Sequence, residues 1–272
     1  MRFAHLGADV VLVARDERRL DEVRTEANRE AGSDRVFSIR ADFASLASVR
    51  GAGEEIVQRW PKIHVLVNNA GINSAAPATS VDGHELTYAV NHLAPFLLTT
   101  VLVPALARAA PSRVVEVTSI FTHMGRVDFD DPMFTRRRYS STRAYTQAKL
   151  ANMMTSLELA ERLEGTGITV NCVSPALVAT DLLRQHWLVS LPWLRPLWRA
   201  VLLTPEQAAE RIVRVATSTT LGGVTGRCFA GSDRPILTPR QARNPEARRR
   251  LWDATAALTR APDLASSRSA AR

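Results

Sequence analysis

Apolar residues fall in two rhythms along this chain. Short, nearly continuous apolar runs occupy Asp9–Arg15 (DVVLVAR), Val36–Asp42 (VFSIRAD), His64–Ala70 (HVLVNNA), Arg113–Ser119 (RVVEVTS), Thr169–Pro175 (TVNCVSP) and Gly226–Ala230 (GRCFA). Such runs predict strands covered on both faces. Longer stretches between them carry apolar positions three and four apart, predicting helices over Glu17–Ala31, Leu46–Trp60, His84–Ala109, Arg143–Glu164 and Pro205–Ser218. The last opens as Thr204-Pro205-Glu206-Gln207, a capping hydroxyl followed by proline at the first helical position. Strand and helix alternating in this way imply the α/β class, a doubly wound parallel sheet of Rossmann type with right-handed crossovers. Ligands of such sheets bind beyond the carboxyl ends of the strands.

Neither a repeat nor a linker divides the chain, so one domain is expected over residues 1–260. The small, polar Ala261–Arg272 is expected as a disordered tail. No run approaches the roughly 18 apolar residues of a membrane span, and the first residues lack a secretory pattern, so a cytoplasmic location is expected. The beginning is unusual. Arg2–Gly7 reads as the end of a helix with a glycine C-cap, leading directly into a strand.

Composition narrows the function. The 272 residues are 46% hydrophobic and 23% charged, ordinary values for a globular protein. The net charge of +8 is spread over helices with acids among the bases, so nucleic-acid binding is not expected. Cys172 and Cys228 stand far apart, with no zinc-ligand spacing; they read as buried thiols, and no metal site is expected. Of 35 basic residues only Lys62 and Lys149 are lysines. Arginine cannot replace a compact amine that must adjust its proton affinity.

Lys149 is the last residue of Tyr145-x-x-x-Lys149, whose i,i+4 spacing puts both side chains on one helix face. A nearby ammonium favours phenolate, which eases proton exchange with an alcohol or carbonyl. Ser119 ends an apolar strand, where a hydroxyl could bond a substrate oxygen. Asn68-Asn69-Ala70-Gly71 ends another, where small residues let a flat ring approach the backbone. Asn91 sits polar within the apolar helical stretch YAVNHLAPFLL, where it could equally be a satisfied core amide.

In this order and register, from Gly7 to about Leu258, these motifs closely resemble the short-chain dehydrogenase/reductase family. The stretches VNHLAPFLLT, APSRVVEVTS, AKLANMM and QARNPEARRRLWD resemble its retinol-dehydrogenase-like subgroup. The resemblance implies an oxidoreductase that interconverts a lipophilic alcohol and carbonyl by hydride transfer. Tyr145 would be the general acid/base, Ser119 would polarise the carbonyl, Asn91 would hold a relay water, and Lys149 would bind the nicotinamide ribose and lower the tyrosine pKa. Asn69, Ala70 and Gly71 would line the cofactor, and Asp42 would touch the adenine. Pro175, Val178 and Thr180 would face the carboxamide, with Ala176 where the family usually has glycine.

Arg15, at the strand end that faces the adenosine ribose, fits a 2′-phosphate and so NADP, although neighbouring Asp16 would suit NAD. A substrate lid is expected at 183–204. Its tryptophan-rich part, 186–203, would line an apolar pocket or touch a membrane peripherally. Dimers or tetramers are a further implication. The resemblance also leads us to expect a first strand and a glycine-rich phosphate loop upstream of Gly7. Without them a second reading stands open: a catalytically silent scaffold that keeps the fold.

Overall fold

The computed structural model describes residues 2–175 and 203–264. Its first elements are α1 (Arg2–His5), β1 (Val10–Ala14), α2 (Glu17–Ala31) and β2 (Val36–Arg40). Then come α3 (Leu46–Arg59) and β3 (Val65–Asn68). The apolar runs form the strands, and side-chain caps bound the helices. Asp16 accepts from the Arg19 N–H at the start of α2, which ends on Gly32 in the left-handed region.

The helix expected over His84–Ala109 is built in three parts. Glu85 caps the N–H groups of Thr87 and Tyr88, so α4 (Leu86–Tyr88) starts just after it. A π-helical turn (Ala89–Leu93) follows, and then α5 (Ala94–Arg108). Such turns often mark functional positions. This one brings Asn91 and His92 fully inside. Contrary to the sequence expectation, Leu86–Arg108 is long and apolar enough to cross a membrane. Almost all of it is buried, packed on α3 along α5 and on α6 near its start, so here it serves as a core helix.

The second half runs β4 (Ser112–Val117), a 3₁₀ turn (Ile120–Met124), α6 (Ser141–Arg162) and β5 (Ile168–Val173). It continues through α7 (Pro205–Thr217), β6 (Arg227–Phe229), α8 (Arg240–Arg243) and α9 (Pro245–Thr259). The Thr204 cap and Pro205 stand where the pattern placed them. Strand pairing is parallel throughout, in the orders β1-β2 and β3-β4-β5-β6. The doubly wound expectation holds, with one break. Among the described residues nothing pairs with the inner edges of β1 and β3, and Val10–Val13 and Val65–Val67 are only half-buried. The break falls where the family resemblance places a further strand. Val11, Val13 and Leu66 still pack on one core with Val49, Ile56, Leu97 and Leu102, which joins the two sheets through α3 and α5.

The C-terminal end closes over this core. α9 was not expected, although Asn244-Pro245 repeats the cap-and-proline signal. Its Trp252 packs edge-on against Phe96, and its Thr255 hydroxyl lies 3.0 Å from His92 Nε2. Leu264 also joins the core, so the chain is ordered past Ala261, where the tail was expected to begin; residues 265–272 lie outside the described residues.

Two consequences can be measured. A methyl group at Gly125 would overlap the Thr146 carbonyl and approach Leu150 Cβ to 3.1 Å, so the turn lies tight on α6. Gly125→Ala should therefore cost about 1–3 kcal/mol in denaturant titrations, and an unchanged midpoint would refute that close packing. Burial pulls the His92 pKa down to about 4 against the opposing Asn152 hydrogen bond. The unfolded chain binds this proton below about pH 6.5, so stability should fall as pH drops from there toward 4, by on the order of 3 kcal/mol. His92→Gln should flatten that slope; an unchanged slope would place its origin elsewhere.

Candidate active site

Helix α6 packs against β4, β5 and the 3₁₀ turn, and so carries Tyr145 and Lys149 to the carboxyl end of the sheet. The long segment before it is ordered by Asp131, whose carboxylate accepts from the N–H groups of Thr135, Arg136 and Arg137. The Tyr139 hydroxyl donates to the Ser74 carbonyl at 2.9 Å, pinning the same segment to the loop after β3. Ser140 then caps α6 through the Arg143 N–H.

Ser119 caps the 3₁₀ turn. Its hydroxyl accepts from the Phe121 N–H at 3.3 Å, and its own N–H donates to Thr122 Oγ1 at 3.2 Å. Both bonds fix it opposite Tyr145. Burial pushes the Tyr145 pKa up and the Ser119 hydroxyl pulls it down, leaving the phenol above its ordinary value. The resemblance implied the opposite, a tyrosine made more acidic by Lys149. In this structure burial outweighs the lowering influence of Ser119, and the Lys149 amine donates to the Val117 carbonyl at 2.8 Å. Lys149 is itself buried. Burial lowers its pKa, and the negative charge of Glu116 works against that fall.

The NNAG motif divides into a core half and an exposed half. Asn68 is buried and donates to Thr99 Oγ1 at 2.8 Å, whereas Asn69, Ala70 and Gly71 are exposed beyond β3. A Cβ on Gly71 would stand 3.4 Å from Asn91 Oδ1 and 3.6 Å from Lys149 Nζ, so this turn lies directly over both. The Asn91 amide is spent on the turn: Oδ1 accepts from the Ile72 N–H at 2.7 Å, and Nδ2 donates to the Ile72 carbonyl at 2.8 Å. Its backbone carbonyl accepts from Asn152 Nδ2 at 2.6 Å. Asn91 thus clamps the turn in the manner of the satisfied core amide that the sequence left open.

Arg15 is exposed at the end of β1, and its carbonyl accepts from the Arg40 side chain at 3.2 Å, which holds the Arg40 guanidinium near that strand end. Asp42 is half-buried and binds the Ala44 N–H at 3.0 Å. Pro175 is buried beyond β5. Val178, Thr180 and the expected lid, apart from Leu203 and Thr204, lie outside the described residues.

Residues that could hold a nicotinamide dinucleotide are thus an amine and small residues beside the Asn91 turn, and Arg15 at the end of β1. Among the described residues no glycine-rich loop follows a strand to hold the pyrophosphate. Sequence reasoning missed Glu116, His92 and Asn152, which form a buried polar cluster behind Lys149. The signal available was a carboxylate interrupting the apolar strand VVEV.

Comparison with known proteins agrees with this geometry. The model of the short chain dehydrogenase family matches residues 1–188. Human retinol dehydrogenase 13 is 33% identical over 262 residues, covering 95% of this chain and 79% of its own length. Human retinol dehydrogenase 14 is 36% identical over 266 residues, covering 91% and 78%. The crystal structure of a protein from Mycobacterium paratuberculosis superposes with a TM-score of 0.73 at 27% identity, covering 93% of this chain and 85% of that one. A blue fluorescent protein from a metagenomic library, in complex with NADPH, gives 0.62 at 27% identity, covering 84% and 87%. Strand order, tyrosine and lysine four apart on one helix, and overall similarity converge on one assignment: the chain belongs to the short-chain dehydrogenase/reductase family and is a retinol-dehydrogenase-like, NAD(P)-dependent oxidoreductase of alcohols and carbonyls.

Proposed function

We propose that this protein interconverts a lipophilic alcohol and its carbonyl with NADP(H), using Tyr145 as general acid and base. The observation that carries the reading is the half-buried Tyr145 phenol held opposite the fixed Ser119 hydroxyl at the carboxyl end of the sheet. A phenol held above its ordinary pKa is protonated at neutral pH, as a proton donor to a carbonyl must be. Ser119 bonds the substrate oxygen and polarises it, and Tyr145 delivers its proton to the same atom.

The nicotinamide cofactor supplies the hydride. Lys149 would hold the nicotinamide ribose, Asn91 would place the turn over it, and Asn69, Ala70 and Gly71 would give the ring room. Pro175 would face the carboxamide, Asp42 the adenine, and Arg15 the 2′-phosphate. Ile120 and Met124, 48% and 72% exposed on the turn beside Ser119, favour an apolar substrate. The names of the relatives, retinol dehydrogenases 13 and 14, point the same way and make a retinoid the first substrate to try.

The purified protein should oxidise NADPH in the presence of all-trans-retinal, followed by loss of absorbance of the reduced cofactor. Tyr145→Phe should lower the rate at least about 100-fold while keeping the wild-type circular dichroism spectrum. Full activity in that variant would remove Tyr145 from the mechanism. Arg15→Ala should weaken NADPH binding about tenfold in fluorescence titrations and leave NADH unchanged, as expected for a lost phosphate contact. Equal losses for both cofactors would disprove the assignment of Arg15 to the 2′-phosphate.

A further inference from the structure

Glu116 sits near the carboxyl end of β4 between Val115 and Val117 and is 5% exposed, where an apolar residue would bury at far lower cost. Two consecutive residues of this strand each grip one residue of α6. The Val117 carbonyl accepts from Lys149 Nζ at 2.8 Å, and Glu116 Oε1 accepts from Asn152 Nδ2 at 2.7 Å. Asn152 gives its second amide hydrogen to the Asn91 carbonyl, 2.6 Å away, and its Oδ1 lies 3.0 Å from His92 Nδ1. Since Oδ1 can only accept, Nδ1 is the protonated nitrogen of a neutral His92, and Nε2 accepts from the Thr255 hydroxyl. A cavity of about 20 Å³, lined in part by Glu116, Asn68, Asn152 and Ser156, leaves room for one water beside the carboxylate.

The titratable groups that face Glu116 are His92 from the π-helical turn, Cys172 from β5 and Lys149 from α6; β3 contributes the neutral Asn68. Burial keeps His92 neutral. Lys149 is therefore the one cation among these groups, and its hydrogen-bond partner, a backbone carbonyl, carries no charge.

We propose that Glu116 is a positioning residue of the active site, whose carboxylate keeps buried Lys149 protonated and, through Asn152, fixes the Asn91 turn beneath the cofactor-facing loop. The physical reason is that a buried amine without a counter-charge sheds its proton, and a neutral amine presents one donor fewer to the ribose. Burial pushes the Glu116 pKa up to about 7 even though Lys149 lowers it, so the two groups stabilise each other's charge above that pH. The inference rests on the reading of Lys149 as part of the oxidoreductase site, yet it can be tested in the protein without cofactor or turnover.

Because the chain has only two lysines, labelling with ¹³Cε-lysine gives two resonances, and Lys62→Arg identifies the exposed one. In Glu116→Gln, which keeps an oxygen acceptor for Asn152, the Lys149 midpoint should move down by at least about one pH unit while Lys62 stays in place. Glu116→Asp, which keeps the charge, should hold Lys149 near its wild-type midpoint. Lys149 midpoints within about 0.3 pH unit in wild type and Glu116→Gln would overturn the proposal. Should Glu116→Gln fail to fold, the wild type decides: Lys149 should show a second inflection as Glu116 titrates, and a single-step curve overturns the idea. Absence of NADPH oxidation would count against the proposed reaction and leave this readout intact.

Discussion

The seam between β4 and α6 is the contact on which the site depends. Along it a strand carbonyl takes the only buried lysine among the described residues, and a strand carboxylate takes the asparagine one turn further along the helix. That asparagine reaches the Asn91 carbonyl, and the Asn91 amide in turn clamps Ile72. Ser119 at the end of β4 faces Tyr145 from the same helix. The proton-handling groups are thus referenced to one strand and one helix, rather than to loops that would let them drift. The ordering needed for chemistry comes from core packing already required for folding.

Such a seam carries a cost. Glu116, Lys149, His92 and Asn152 occupy positions where aliphatic side chains would pack without desolvation. The cluster is tolerable because each polar group has a partner: Asn152 spends both amide hydrogens, His92 uses both ring nitrogens, and the carboxylate and amine oppose each other's charge. The break between β1 and β3 lies at the far edge of the sheet from β6, one strand from Glu116 on β4. The shared core of α3 and α5 bridges it, so β3 can present Asn69–Gly71 to the site despite an unpaired edge among the described residues.

Much of this was legible in the sequence because the signals are local. The apolar runs gave β1 to β5 to within about two residues, and the i,i+4 spacing of Tyr145 and Lys149 gave their shared face. What escaped depends on partners far apart in the chain. Glu116 reads as an anomaly in VVEV until Asn152, 36 positions on, supplies its hydrogen bond. The π-helical turn leaves no periodic trace that distinguishes it from the helix around it. Helix α9 could have been found, since Asn244-Pro245 carries the same signal as Thr204-Pro205. The acidity of Tyr145 could not be read from spacing, because it depends on how deeply the ring is buried and where the lysine points.

The central claim is that Tyr145 and Ser119 activate a carbonyl for hydride addition. Its most direct test follows the hydrogen itself, with NADPH carrying two deuteriums at nicotinamide C4 and all-trans-retinal as acceptor. Mass spectrometry of the product should find retinol with one deuterium on the carbinol carbon, formed by the wild type and not by Tyr145→Phe. Retinol lacking that deuterium, or the same labelled product from the phenylalanine variant, would contradict the account.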